Sequence, residues 1–75
     1  MMGRHFSEAE QRLSPREIEC LQALAEGHNS AGISKLLHIA VPTVAMHLVN
    51  ARKKLDAKTR EQAVAKAVKR GLVEP

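Results

Sequence analysis

The apolar residues of the chain recur at spacings of three and four positions, which is the period of an amphipathic α-helix. The first such stretch begins with a capping box, in which Ser14 caps the helix, Pro15 takes its first position and Glu17 reaches back to the cap. Gly27 can end the stretch because glycine adopts the left-handed backbone conformation without strain. These signals predict a helix over residues 15–26.

The next two helices are predicted to follow with only a short turn between them. Asn29 or Ser30 can cap the second helix, and Pro42 fits the first turn of the third because amides there have no intrahelical acceptor. A turn of about four residues between two helices is the helix-turn-helix spacing, and we place this motif at about 29–48. The apolar positions of the two helices are Ile33, Leu36, Leu37, Val44, Leu48, Ala51 and Leu55.

A fourth helix is predicted at about 60–70. A second capping box between Thr59 and Gln62 opens it, and Gly71 followed by Leu72 fits a Schellman-type end with its apolar contact. The helix carries a narrow apolar stripe, which consists of Ala63, Val64, Ala67 and Val68.

The composition favours an all-α fold. The 75 residues suffice for one domain, and 44% of them are hydrophobic but only 1% aromatic. A core of Leu, Ile, Val and Ala suits packed helices better than a β-sandwich, which uses more aromatic and β-branched residues. We therefore predict a compact four-helix domain over 13–73 that contains a helix-turn-helix. Residues 1–12 are interpreted as a linker or a cloning remnant with little predicted order.

Residues that could carry catalysis or bind metal are sparse. The single cysteine, Cys20, excludes an internal disulfide and a thiolate zinc site, and we expect it to be buried. The histidines lack neighbouring ligands, and no nucleophile–base pair or glycine-rich phosphate loop occurs. We therefore predict no metal, cofactor, small-molecule site or enzymatic activity. The sequence contains no membrane-length apolar run and no secretory signal, which favours a soluble, cytoplasmic protein without a membrane partner.

Charge is divided unevenly along the chain, whose formal net charge is +4. Residues 1–28 carry three basic and five acidic side chains, a net of −2, whereas residues 29–75 carry nine and three, a net of +6. Such a split within one small domain points to an anionic partner. Five basic residues near the fourth helix are assigned to solubility: Lys58, Arg60, Lys66, Lys69 and Arg70.

The pattern formed by many of these residues resembles that of a known protein family. From Leu13 to Val73 the chain resembles the LuxR-type, or GerE-type, helix-turn-helix domain, in register over nearly its whole length. The run from His47 to Arg52 is similar to the quorum-sensing branch of that family. The shared positions are Leu13 to Glu17, Ala25 to Gly27, Ile33, Ser34, Leu37, Ile39, Thr43, Val44, His47, Leu48, Asn50 to Arg52, Lys54, Leu55, Arg60, Gln62 to Val64, Gly71 and Leu72.

The resemblance implies that the third helix, at about 41–55, is the recognition helix, and that the fourth is a dimerisation helix. In the family, base contacts come mainly from positions that are here Pro42, Ala45, Met46 and Val49. This chain departs from the family there, because all four residues are apolar where relatives carry several polar or basic ones. Two further departures are Gly32, where a glutamate is usual, and Ala40, where a serine cap is usual.

Helical spacing indicates the same outer face without the family. Once the apolar stripe of the third helix points inward, Pro42, Ala45, Met46, Val49 and Lys53 lie largely outside. Apolar side chains there can contact thymine methyl groups but cannot donate hydrogen bonds to base edges. Phosphate contacts should therefore dominate, from Lys35, Thr43, His47, Asn50, Lys53 and Lys54.

Each of these assignments has an alternative. Met46 and Val49 can pack against another protein. His47 can be a neutral, hydrogen-bonded residue near the core. Lys53 and Lys54 can form an ordinary solvated face.

Two functions remain open from the sequence. The favoured one is sequence-directed binding of double-stranded DNA by the output domain of a bacterial, quorum-sensing transcription regulator. The domain would bind as a homodimer, weak in isolation, through Ala63, Val64, Ala67 and Val68. The alternative is a helix-turn-helix used for protein–protein interaction, such as a decoy partner of another regulator.

Overall fold

Four α-helices account for most of residues 12–75, the part of the chain that the computed structural model describes. They are α1 (Pro15–Ala25), α2 (Ser30–Leu37), α3 (Val41–Lys54) and α4 (Arg60–Lys69). No strand occurs within these residues, which confirms the all-α, four-helix prediction. Each helix lies within a residue or so of its predicted bounds. The interpretation of residues 1–12 falls almost entirely outside the described part.

The capping boxes predicted for α1 and α4 differ in one bond. In α1 the box is complete, because Ser14 Oγ accepts from the Glu17 backbone N–H at 3.1 Å and the Ser14 N–H donates to Glu17 Oε1 at 2.9 Å. In α4, Thr59 Oγ1 accepts from the backbone N–H of Gln62 at 3.0 Å. The Gln62 side chain, however, accepts from the N–H of Lys58, one residue before the cap, at 2.6 Å.

Left-handed residues follow all four helices. Gly27 and Gly71 have φ angles of 98° and 74°, as glycine allows, but His38 and Asp56 take φ angles of 59° and 56° at the ends of α2 and α3. At the end of α4 the N–H of Leu72 donates to the carbonyl of Ala67 at 2.9 Å, the bond of a Schellman motif. The connections between helices can therefore be very short.

The core is built from aliphatic side chains of all four helices. The fully buried large residues are Leu21, Ile33, Val44, Leu48 and Leu55, joined by Cys20. From α4 only Ala63 and Ala67 are fully enclosed. Leu36 is 51% exposed because it lies at the rim between α1 and α2, and Leu72 is 37% exposed because the next residue, Val73, enters the core instead.

The arrangement of α2 and α3 is that of a helix-turn-helix. Residues 38–40 separate the two helices, and the chain bends by 107° between them. This angle lies within the range of about 90–120° for such motifs. Among residues 12–75, no single helix is long and apolar enough to cross a membrane, and α2 and α3 reach that length and composition only as a bent pair.

Candidate nucleic-acid interface

One side of α3 faces solvent while the other packs in the core. Val44, Leu48 and Ala51 are at most 1% exposed and hold the inner side. We call the opposite side the outer face of α3 and define it by Pro42, Met46, Val49 and Lys53, all of which are exposed. These residues follow one another at spacings of four, three and four positions, so they form a single stripe along the helix.

The outer face is apolar over most of its length. Met46 is 51% exposed and Val49 39% exposed, and Val41 at the start of the helix is 45% exposed. Of the four predicted base-facing residues, three lie on this face, whereas Ala45 is half-buried at its edge. The N-cap residue of α3 is Ala40, which makes no side-chain capping hydrogen bond.

Polar and basic side chains flank the outer face. Thr43, His47 and Asn50 lie half-buried along one edge of α3, and Lys53 is exposed in its last turn. Lys35 is exposed near the end of α2. No acidic residue occurs in α3 itself, so the side chains of this helix are all positive or neutral. These five residues remain predicted phosphate contacts, and both alternatives for His47 stay open.

Lys54 has a structural partner that the sequence analysis did not anticipate. Its Nζ lies 2.9 Å and 3.2 Å from the two carboxylate oxygens of Glu17, which is only 4% exposed. The pair ties the last turn of α3 to the first turn of α1. The ammonium group is thus engaged within the domain, and the phosphate contact assigned to Lys54 remains a prediction.

The environment of Glu17 keeps its carboxylate charged. Burial alone would raise the pKa of this group. Hydrogen bonds from the Ser14 backbone N–H and from Lys54, together with the charge of Lys54, outweigh that effect and hold the pKa below its ordinary value of 4.5. A buried charge of this kind is tolerated because its hydrogen-bonding capacity is satisfied within the domain.

Three further basic residues, two of which are predicted to serve solubility (Arg60 and Lys66), make hydrogen bonds within the domain. Arg52 Nη1 donates to the carbonyl of Ala57 at 3.0 Å. Lys66 Nζ donates to the carbonyls of Leu55 and Asp56 at 3.3 Å and 2.7 Å, which places a positive charge at the negative end of α3. Arg60 Nη1 donates to Ser30 Oγ at 3.3 Å and joins α4 to α2. No local sequence signal indicates this role of Lys66, because the carbonyls that it contacts lie ten and eleven positions earlier in the chain.

The predicted dimerisation stripe divides into two pairs. Ala63 and Ala67 are 1% and 0% exposed, so both are occupied in packing against the domain's own core. Val64 and Val68 are half-buried against the same core and retain some accessible surface. Only the two valines can therefore offer apolar contact to a second copy, and the dimerisation role remains a prediction.

Comparison with known proteins gives consistent results. A family model described as "Bacterial regulatory proteins, luxR family" matches residues 11–67. The chain is 50% identical over 62 residues to the HTH-type quorum sensing-dependent transcriptional regulator RpaR of Rhodopseudomonas palustris. This alignment covers 83% of this chain and 26% of that protein. It is 42% identical over 62 residues to the transcriptional activator protein LuxR of Aliivibrio fischeri, covering 83% of this chain and 25% of that one.

A solved structure described as that of the transcription factor GerE has a related fold. It superimposes with a TM-score of 0.79 at 32% sequence identity, over 83% of this chain and 92% of that one. The chain spans about a quarter of the length of the two regulators named above but nearly all of the GerE chain.

Proposed function

Because the chain belongs to the luxR family of bacterial regulatory proteins, we propose that it binds double-stranded DNA as the output domain of a quorum-sensing transcription regulator. The names of its relatives support the regulatory role and give no indication of an enzyme. The same relatives support a bacterial cytoplasmic location, on the nucleoid when the domain is bound to DNA.

The observation that carries this proposal is the placement of α3. Its 14 residues span about 21 Å at 1.5 Å per residue, and the 107° bend sets the helix across α2 with its outer face in solvent. A major groove about 12 Å wide accommodates one such helix. Because α3 carries no acidic residue and has the exposed Lys53 in its last turn, groove phosphates can be neutralised as α3 enters.

Lys53→Ala is expected to weaken binding to every duplex by a similar factor. One phosphate contact is lost, so the slope of log affinity against log salt concentration should become shallower by about one unit. Lys69→Ala removes the same charge from α4 and serves as the matched control, with an unchanged slope. A loss confined to one operator, or equal effects of the two substitutions, would contradict a phosphate contact at Lys53.

We also propose that the domain pairs on DNA through α4 but only weakly in solution. Val64 and Val68 are both half-buried in their own core and leave little apolar area for a partner. Sedimentation at micromolar concentration is therefore expected to give a monomer, whereas a duplex with two half-sites should take up two copies. A tight dimer without DNA would be inconsistent with this prediction.

A second function is favoured by one observation, the exposed apolar surface of Met46 and Val49. Such a surface suits a protein partner, and the domain would then act as a decoy that engages another regulator. Duplex binding that falls steeply with salt supports the first function, and binding that is absent at low salt supports the second.

A further inference from the structure

The three apolar residues of the outer face of α3 lack the chemistry that usually reads bases. Pro42, Met46 and Val49 bear no side-chain hydrogen-bond donor, and only the weakly accepting sulfur of Met46 is polar at all. Met46 and Val49 are nevertheless 51% and 39% exposed at the middle of the stripe. In a groove, these side chains would lie where polar readers form bidentate pairs with guanine or adenine.

The major groove offers one apolar group to such a surface. Among the base edges only thymine presents a methyl group, and apart from the small C5–H of cytosine the other positions that the groove offers are mainly hydrogen-bond donors or acceptors. Apolar side chains pressed against those polar positions would strip them of water without replacing its hydrogen bonds, which is unfavourable. Contact with a methyl group has no such cost and buries apolar surface on both sides.

Electrostatics favours DNA over a protein as the occupant of this face. No acidic residue lies on α3, and Lys53 continues the apolar stripe at its C-terminal end. A methyl-lined groove between two rows of phosphates is complementary to an apolar stripe with a cationic end.

Resting on the proposed function, we infer that the outer face of α3 recognises pyrimidine C5-methyl groups through Met46 and Val49. Its ligand class is duplex DNA with thymine at the contacted positions. The same face should accept 5-methylcytosine, because that base carries its methyl group on the same ring carbon. Recognition then depends on the methyl group more than on the identity of the base pair.

The test uses a duplex that this domain selects from a random pool. At each contacted pyrimidine position, thymine, uracil, cytosine and 5-methylcytosine are compared. Replacing thymine by uracil removes only the methyl group and should weaken binding about fourfold per contacted position. Cytosine and 5-methylcytosine should differ by a similar factor in the same direction. At the position that Met46 contacts, Met46→Ala should abolish the difference between thymine and uracil and the difference between cytosine and 5-methylcytosine. It should leave the affinity for the uracil duplex almost unchanged. The same replacements outside the footprint are the control and should have no effect.

The outcomes separate this inference from the function on which it rests. One outcome is that affinity for duplexes falls with salt concentration as expected, but thymine and uracil sites bind equally and Met46→Ala leaves the affinity unchanged. The inference is then overturned and DNA binding stands. A protein partner would then be the better account of the apolar stripe. If no duplex is bound or selected even at low salt, both the function and the inference fail.

Discussion

Lys54→Met is expected to lower the free energy of unfolding of the domain by about 2–3 kcal/mol. The substitution keeps most of the aliphatic stem but removes the ammonium group 2.9 Å from Glu17, whose side chain is only 6% exposed. A buried carboxylate is left with the Ser14 cap as its remaining support. In a domain of this size the loss should be a large part of the total stability, and chemical denaturation would measure it.

Lys53→Met is the matched control for this experiment. It removes an equal charge from the neighbouring position, where the side chain is exposed, and should change stability by no more than about 0.5 kcal/mol. The double variant Glu17→Gln/Lys54→Met should be more stable than Lys54→Met, because it no longer buries an unpaired charge. Equal effects at positions 53 and 54 would show that the ion pair contributes nothing specific.

The effect of Lys54→Met should depend on pH in a defined direction. The folded-state pKa of Glu17 lies below its ordinary value of 4.5, so the stabilisation from its charged form is complete above that pH and is lost as pH falls through the lowered value. Wild type and variant should therefore differ most near neutral pH and converge in acid, once Glu17 is protonated in both. A difference that stays constant down to strongly acidic pH would exclude Glu17 as the partner that matters.

Met46→Asp should reduce affinity for duplex DNA at least tenfold while leaving the fold intact. The new carboxylate would stand at the centre of the outer face of α3, between two rows of phosphates, where like charges repel strongly. Because Met46 is 51% exposed, the substitution should alter stability by less than about 0.5 kcal/mol. Titration of a labelled duplex and thermal unfolding would measure the two quantities.

The chain supplies an unusually close control for this substitution. Leu36 is also apolar and also 51% exposed, but it lies beside Ile18 and Gln22 on the groove between α1 and α2. Leu36→Asp introduces the same charge on a different surface and should lower DNA affinity by less than threefold. Should the two variants lose affinity equally, net charge rather than the outer face of α3 would govern binding.

The helices could be predicted because their signals are local. Ser14, Thr59 and Gly71 each act on backbone groups within a few residues, so the sequence around them is enough to place a helix end. The inner stripe of α3 followed from periodicity alone, since residues spaced three and four apart share a face whatever they pack against.

The features that could not be predicted from the sequence are contacts between distant parts of the chain. Glu17 and Lys54 are 37 positions apart, and nothing in their neighbourhoods marks them as partners. Leu36 shares the helical spacing of the apolar residues of α2, but its side chain is 51% exposed beside the groove between α1 and α2, which spacing alone does not reveal. Which of Leu72 and Val73 turns inward depends on the path of the chain after α4, which spacing does not determine.

The separation of the two sides of α3 bears on how such a domain can diversify. The stripe of Pro42, Met46, Val49 and Lys53 has no part in the core, so mutations there should pass with little penalty to folding. A gene copy could thus drift through many combinations at four codons and acquire a different target without compensating changes elsewhere. Ala45 differs from these four residues, because it is half-buried at the edge of the face and a substitution there also changes packing. Divergence among descendants of this protein should accordingly be rapid at the four exposed positions and slow at the fifth.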